Sequence, residues 1–169
     1  SIDMLKENDL RVKTYLLFKP PFMSEGDALE LTSKWISEVA PYSDDISVNP
    51  MNIQRRTIVD RLYRNREYRT PWLWSLVEML ERTHADIIES KARIIVHPTA
   101  GGKLRGAHNC GSCDAEVVAA IERYSVSADI REFAGLDCEC KGVWRAEVDS
   151  DLWLPAPMGT GGYRRGSAV

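Results

Sequence analysis

Several features are missing from this 169-residue sequence, and each absence removes a class of protein. No apolar run approaches the roughly 18–20 residues that cross a bilayer, so no membrane partner is expected. The first residues, Ser1-Ile2-Asp3-Met4-Leu5-Lys6, carry neither the basic n-region nor the apolar h-region of a secretory signal, which points to a cytoplasmic setting. Histidine is scarce, with three residues, and there is no G-x-S-x-G elbow, P-loop or H-E-x-x-H. A complete hydrolase with a triad or a zinc-protease helix is therefore not expected. Neither sign of charge dominates: 22 Lys+Arg stand against 25 Asp+Glu, a net charge of −3. That excludes a generally basic, histone-like nucleic-acid binder, though not a local basic face. No internal repeat is visible. A hydrophobic share of 44% and a charged share of 28% are ordinary globular usage and exclude a wholly disordered chain.

What is present reads as alternating strand and helix. Val12 to Phe18 is aliphatic, aromatic and β-branched and is stopped by Pro20-Pro21, the pattern of a buried strand. Ser24 then stands as an N-cap before Glu25 and Asp27, and Ala28, Leu31, Trp35, Ile36 and Val39 predict a helix over 25–40. A second strand is expected at Ile46 to Asn49, before Pro50. Two strands joined by about 27 residues holding one amphipathic helix predict a parallel βαβ unit. Thr57 to Tyr63 suits a short helix. Thr70 as N-cap and Pro71 at the first helical position open a longer one, with Leu73, Leu76, Val77, Leu80, His84 and Ile87 on one stripe. Arg93 to His97 predicts a third strand. Beyond the Gly101–Gly106 loop, Asp114 is expected to cap a helix carrying Val117, Val118, Ile121 and Tyr124. From about residue 149 the chain has no period and reads as a loose tail.

All four cysteines fall between positions 110 and 140, as C-x2-C (Cys110, Cys113), 24 intervening residues, and C-x-C (Cys138, Cys140). Two close pairs split by a helix-sized insert form the sequence pattern of a tetrahedral thiolate site. Zinc is the first choice, because it needs no redox chemistry and can pin a poorly cored segment; an iron–sulfur cluster uses the same ligands. Disulfides are the alternative, and they are rare in reducing compartments. His108 could replace one sulfur. A second group is arginine: Arg55, Arg56, Arg61, Arg64, Arg66 and Arg69 lie within fifteen residues, with Tyr63, Tyr68, Trp72 and Trp74 interleaved or adjacent. Guanidinium neutralises phosphate and aromatic faces stack on bases, so these residues are RNA-contact candidates, set against a solvated helix face with ordinary salt bridges. Lys19, Asn49 and Asn52 fall at strand ends, where parallel α/β sheets meet their ligands.

The stretches VKTYLLFKPPFMSE, DDISVNPMNIQRRTIVDRLYRNREYRTPWLWSLVEML, AHNCGSCD and LDCEC resemble the C-terminal portion of radical S-adenosylmethionine proteins. They are most similar to the archaeal type that forms the tRNA base archaeosine. The order of elements is also similar to the Elongator catalytic subunit group. The resemblance covers about residues 5 to 145. It implies the last β/α units of a partial (β/α)6 barrel over 1–100, a cysteine-rich module over 101–148 and a tail over 149–169. It further implies Lys19, Asn49 and Asn52 facing a cofactor or substrate cavity, tRNA and an upstream tRNA-modifying subunit as partners, and an oxidoreductase that uses S-adenosylmethionine and a 4Fe–4S cluster. The C-x3-C-x2-C triple of that cluster is absent here, so the chain is expected to be a fragment, inactive alone. A stand-alone zinc-stabilised RNA- or protein-binding module is the alternative. A truncated parallel sheet also exposes an edge at Val12–Phe18, through which two copies could pair.

Overall fold

A computed structural model describes residue 8 and residues 10–150. The expected tail from 149 therefore falls almost wholly outside the described residues. The elements run β1 (Lys13–Phe18), α1 (Glu25–Val39), a 3-10 turn (Ala40–Tyr42), β2 (Asp45–Pro50), α2 (Ile58–Arg64), α3 (Leu73–Ser90), β3 (Arg93–Val96), α4 (Asp114–Ser127), a second 3-10 turn (Ile130–Phe133) and α5 (Cys140–Asp149). The fold is mixed α/β. Its three strands form one parallel sheet in the order β1-β2-β3, with Lys13 opposite Asp45 and Asp45 opposite Arg93. The βαβ reading of the first two strands is thus borne out.

The register fixes what each face holds. Phe18, Ile46, Val48, Ile94 and Val96 are buried on one face against Leu29 and Ile36 of α1 and Leu73, Leu76 and Leu80 of α3. Tyr15 and Leu17, on the opposite face of β1, are 66% and 45% exposed. The far edge of β1 pairs with no strand among the described residues. Proline and capping chemistry set the boundaries. The Ser24 hydroxyl accepts the Asp27 amide at the head of α1, and the Thr57 hydroxyl accepts the Asp60 amide at the head of α2. The longest helix starts later than its sequence predicts: Trp72, not Thr70, is the N-cap of α3. Thr70 is turned away because its hydroxyl meets the His108 ring at 3.0 Å.

One hydrophobic core runs through the boundary expected near residue 100. Val117, Ala120, Ile121 and Tyr124 of α4 and Trp144 of α5 belong to the same buried cluster as the sheet. The sharp loop between β3 and α4 depends on Gly106, since a Cβ there would lie 2.3 Å from the Ala100 carbonyl oxygen. The closing helix comes equally near the first. A Cβ on Gly26 would lie 2.6 Å from the Val148 carbonyl oxygen, so glycine alone lets α5 pack against the first turn of α1.

Candidate metal centre

The four cysteine sulfurs converge. All lie within 4.8 Å of one another, and the adjoining pairs are Cys110–Cys113 at 4.0 Å, Cys110–Cys138 at 3.7 Å and Cys113–Cys140 at 3.7 Å. A disulfide bond needs about 2.0 Å, so the cysteines are free thiols here. An ion with metal–sulfur bonds of about 2.3 Å places tetrahedral sulfurs about 3.8 Å apart, and the observed spacings fit such a group.

Each sulfur is placed by a different piece of local structure. Gly111, at φ +95, turns the knuckle between Cys110 and Cys113, a conformation that side-chain-bearing residues avoid. Asp114 was expected to cap α4; the structure gives that position to Cys113. The buried Asp114 carboxylate instead reaches back to accept the amides of Asn109 and Gly111, at 3.0 and 3.2 Å, and so shapes the knuckle itself. Cys138 and Cys140 stand at the entrance of α5. Buried N–H donors point at two of the sulfurs: Asn109 Nδ2 to Cys113 at 3.4 Å and Trp74 Nε1 to Cys140 at 3.2 Å. Such donors stabilise thiolate over thiol.

Burial dominates the titration of the inner sulfurs, raising Cys113 to about 11 and Cys140 higher still. Burial also opposes the Cys110 thiolate, but the amides of Ser112 and Cys113 together with the Cys140 and Cys138 side chains outweigh it and hold that thiol at about 7. Three or four thiolates cannot remain this close in a half-dry site without a cation among them. His108 does not join the set. Its Nδ1 donates to the Gly106 carbonyl at 3.0 Å, and burial keeps the ring neutral by lowering its pKa.

The other expected site residues are placed as follows. Asn49 is exposed at the carboxyl end of β2, and Asn52, half-buried beyond it, accepts from Gln54 at 2.6 Å. Lys19 is turned into the interior. It is 2% exposed, its ammonium turned inward to pair with Glu25 and, at 3.8 Å, with Glu147. Arg55, Arg56, Arg61, Arg64 and Arg66 are exposed around α2. Arg56, Arg61 and Arg64 border an open cleft of about 430 Å³. At its floor Asp60 accepts from Arg105 at 2.6 Å, the Arg56 amide at 2.9 Å and Arg64 at 2.8 Å. Arg69 leaves this surface. It is 3% exposed, stacks 3.8 Å over the Trp72 ring, and donates to the carbonyls of Thr70 and His108. Trp72 and Trp74 are core residues, 2% and 1% exposed.

The sequence reading missed Glu25, Trp72, Ser75, Trp144 and Glu147 as a connected buried group. Glu25 accepts the Trp72 amide at 2.9 Å and the Ser75 hydroxyl at 2.5 Å. The Trp144 indole donates to Ser75 at 2.8 Å, and the Trp72 indole to Glu147 at 2.7 Å. The available signal was the spacing Cys140, Trp144, Glu147, which is i, i+4, i+7 on one helix face.

Comparison with known proteins places these features in company. Over 144 residues, 85% of this chain, the sequence is 37% identical to a protein named archaeosine synthase subunit beta from Methanosarcina acetivorans. It is 38% identical over 143 residues to the protein of the same name from Thermococcus kodakarensis. An uncharacterized protein of Methanocaldococcus jannaschii is 28% identical over 162 residues. The matches cover 41%, 44% and 44% of those proteins, so the chain spans about two-fifths of the length of the curated relatives it matches. No protein-family profile matches the chain, and no solved structure matches it.

Proposed function

We propose that this chain is the C-terminal portion of a radical S-adenosylmethionine enzyme that forms archaeosine in tRNA. In this reading the three-stranded sheet supplies the last units of a partial (β/α)6 barrel, and the four thiolates hold a structural zinc ion. The observation that carries the reading is the 37–38% identity, over more than four-fifths of the chain, to two proteins named archaeosine synthase subunit beta. Zinc is favoured by the sulfur spacing of 3.7–4.0 Å, which suits one shared ion. A cluster would spread the four ligands over several irons.

In the full-length enzyme, S-adenosylmethionine on a 4Fe–4S cluster supplies the radical chemistry. This sequence carries no C-x3-C-x2-C, so its own part is to wall the cavity and seat the RNA. Asn49 and Asn52 would face the reacting groups from the carboxyl end of β2. Arg55, Arg56, Arg61, Arg64 and Arg66 would lie against phosphates of the tRNA. No helix among the described residues is long and apolar enough to cross a membrane.

The test replaces Cys110 and Cys140 together by Ser in the native gene and reads tRNA nucleosides by mass spectrometry. The expected result is about one zinc per purified wild-type chain and loss of both zinc and archaeosine in the variant. Unchanged archaeosine after loss of the metal would overturn the reading. Brown protein absorbing at about 400 nm would replace zinc by a cluster.

A further inference from the structure

Helix α5 carries a sulfur ligand at its first residue and a buried carboxylate two turns on. Cys140, Trp144 and Glu147 form one buried stripe, and at 1.5 Å per residue Cys140 and Glu147 lie about 10 Å apart along the axis. Each residue of that stripe is bonded to a different partner on the sheet side: Cys140 to the Trp74 indole, Trp144 to Ser75, and Glu147 to both the Trp72 indole and Lys19. Lys19 is the first residue after β1, held at φ +54, and its own carbonyl accepts the Tyr68 hydroxyl at 2.7 Å. It opens the Lys19-Pro20-Pro21-Phe22 loop at the carboxyl end of the strand, the end at which parallel sheets meet ligands.

Docking of α5 brings a second carboxylate to Lys19 and an acceptor to the Trp72 indole. Lys19 and Arg69 are buried cations here; Glu25 and Glu147 face both of them, and the buried Asp114 also faces Arg69. Withdrawing α5 removes one carboxylate and the acceptor of the Trp72 indole together, leaving Lys19 with Glu25 alone and the indole donor unmatched. Losing that support weakens the hold on Lys19 and on the loop it begins. A rigid helix with a ligand at one end and this carboxylate at the other therefore couples the two places mechanically.

We propose that Glu147 is a positioning residue that carries the state of the sulfur site to the loop at residues 19–23, so that a bound cation holds that loop closed and its loss releases it. The inference rests on the reading of the four thiolates as a metal site. It reaches further in assigning that site an effect on the strand end, some distance from the sulfurs.

The experiment is amide hydrogen exchange with mass spectrometry on the full chain, with metal bound and after a chelator, together with metal content and tryptophan emission. In the wild type, chelation is expected to speed exchange about tenfold or more over 19–24 and at Trp72, as well as over 110–113 and 138–142, with little change in β2 at 46–48. In Glu147→Gln the metal stays bound, the 19–24 segment already exchanges fast, and the chelator adds nothing there. Trp72 emission shifts in the same variant before any chelator is added, because the indole has lost an ionised acceptor. Trp72→Phe, which keeps a ring under Arg69, is expected to show the same loss of coupling if Glu147→Gln proves too unstable to purify. Chelation that loosens 110–142 while 19–24 stays protected overturns the proposal and leaves the metal reading intact. Wild-type protein that folds without metal, with 19–24 protected, overturns both. Uniformly faster exchange in the variant, β2 included, makes Glu147 a structural residue and also overturns the proposal.

Discussion

Lys19→Met removes a cation that the fold has taken wholly out of water. Side-chain exposure at the pair is 3% for Lys19 and 0% for Glu25, and Glu147 adds a second carboxylate that is 5% exposed. An exposed ion pair would contribute at most about 1 kcal/mol. Here the loss takes the ammonium away from Glu25 and Glu147, and breaking a buried pair from one side costs about 3–5 kcal/mol. Methionine keeps most of the stem volume, so little of that cost comes from a cavity. A domain of this size is stable by about 5–15 kcal/mol, and the variant should therefore remain folded yet marginal. Urea denaturation of metal-loaded protein, followed by far-UV circular dichroism, measures the difference. At about 2–4 °C per kcal/mol the melting temperature should fall by roughly 6–20 °C. Pairing Lys19→Met with Glu25→Gln and with Glu147→Gln in double-mutant cycles should show the larger coupling to Glu25, which is the closer partner. A cost below about 1 kcal/mol, or coupling to neither carboxylate, would refute the argument that this charge is held in a dry interior.

Two further outcomes follow from the arginine-rich segment. The Arg105 side chain, with the Arg56 amide and Arg64, holds the Asp60 carboxyl at about 2, below its usual value of 3.8. A lowered folded-state pKa contributes stability above the unfolded value and loses it as pH falls toward 2, so the stability gap between wild type and Asp60→Asn should close between about pH 4 and pH 2. A gap that is constant with pH would assign Asp60 a role independent of its charge. Charge reversal at Arg55, Arg56 and Arg61 should weaken tRNA binding and reduce its salt slope by about 0.9 per lost phosphate contact, measured by filter binding across a salt series, with the melting temperature unchanged. Binding that is indifferent to these changes would make the segment an ordinary solvated surface.

Sequence and structure agree where one physical signal acts alone. β1, β2 and β3 are apolar runs closed by Pro20, Pro50 and Pro98, and α1 is an amphipathic period opened by a serine cap, so local chemistry determines each of them. The four cysteines were legible as a set because their spacing is itself the requirement of the site. Helix α5 was not foreseen. Its ten residues, CKGVWRAEVD, hold a glycine and few apolar groups, and the helix depends on tertiary bonds made by Trp144 and Glu147. Lys19 and Arg69 are buried for a common reason. Charge predicts exposure until a partner is known, and their partners come from elements that sequence spacing cannot associate with them: Glu25 and Glu147 for one, the Trp72 ring and the His108 carbonyl for the other. Asp114 read as a cap because aspartate before a helix usually is one; it serves the preceding turn instead.

The bond from Trp72 to Glu147 joins positions 75 apart, and the residues between them include the entire sulfur-bearing stretch. On the ribosome, Lys19 and Glu25 emerge long before α5, so the strand-and-helix portion is made well ahead of the carboxylate that completes its polar interior. A product ending ahead of α5 would lack the Glu147 carboxylate and the acceptor of the Trp72 indole, and would present proteases with an open interior.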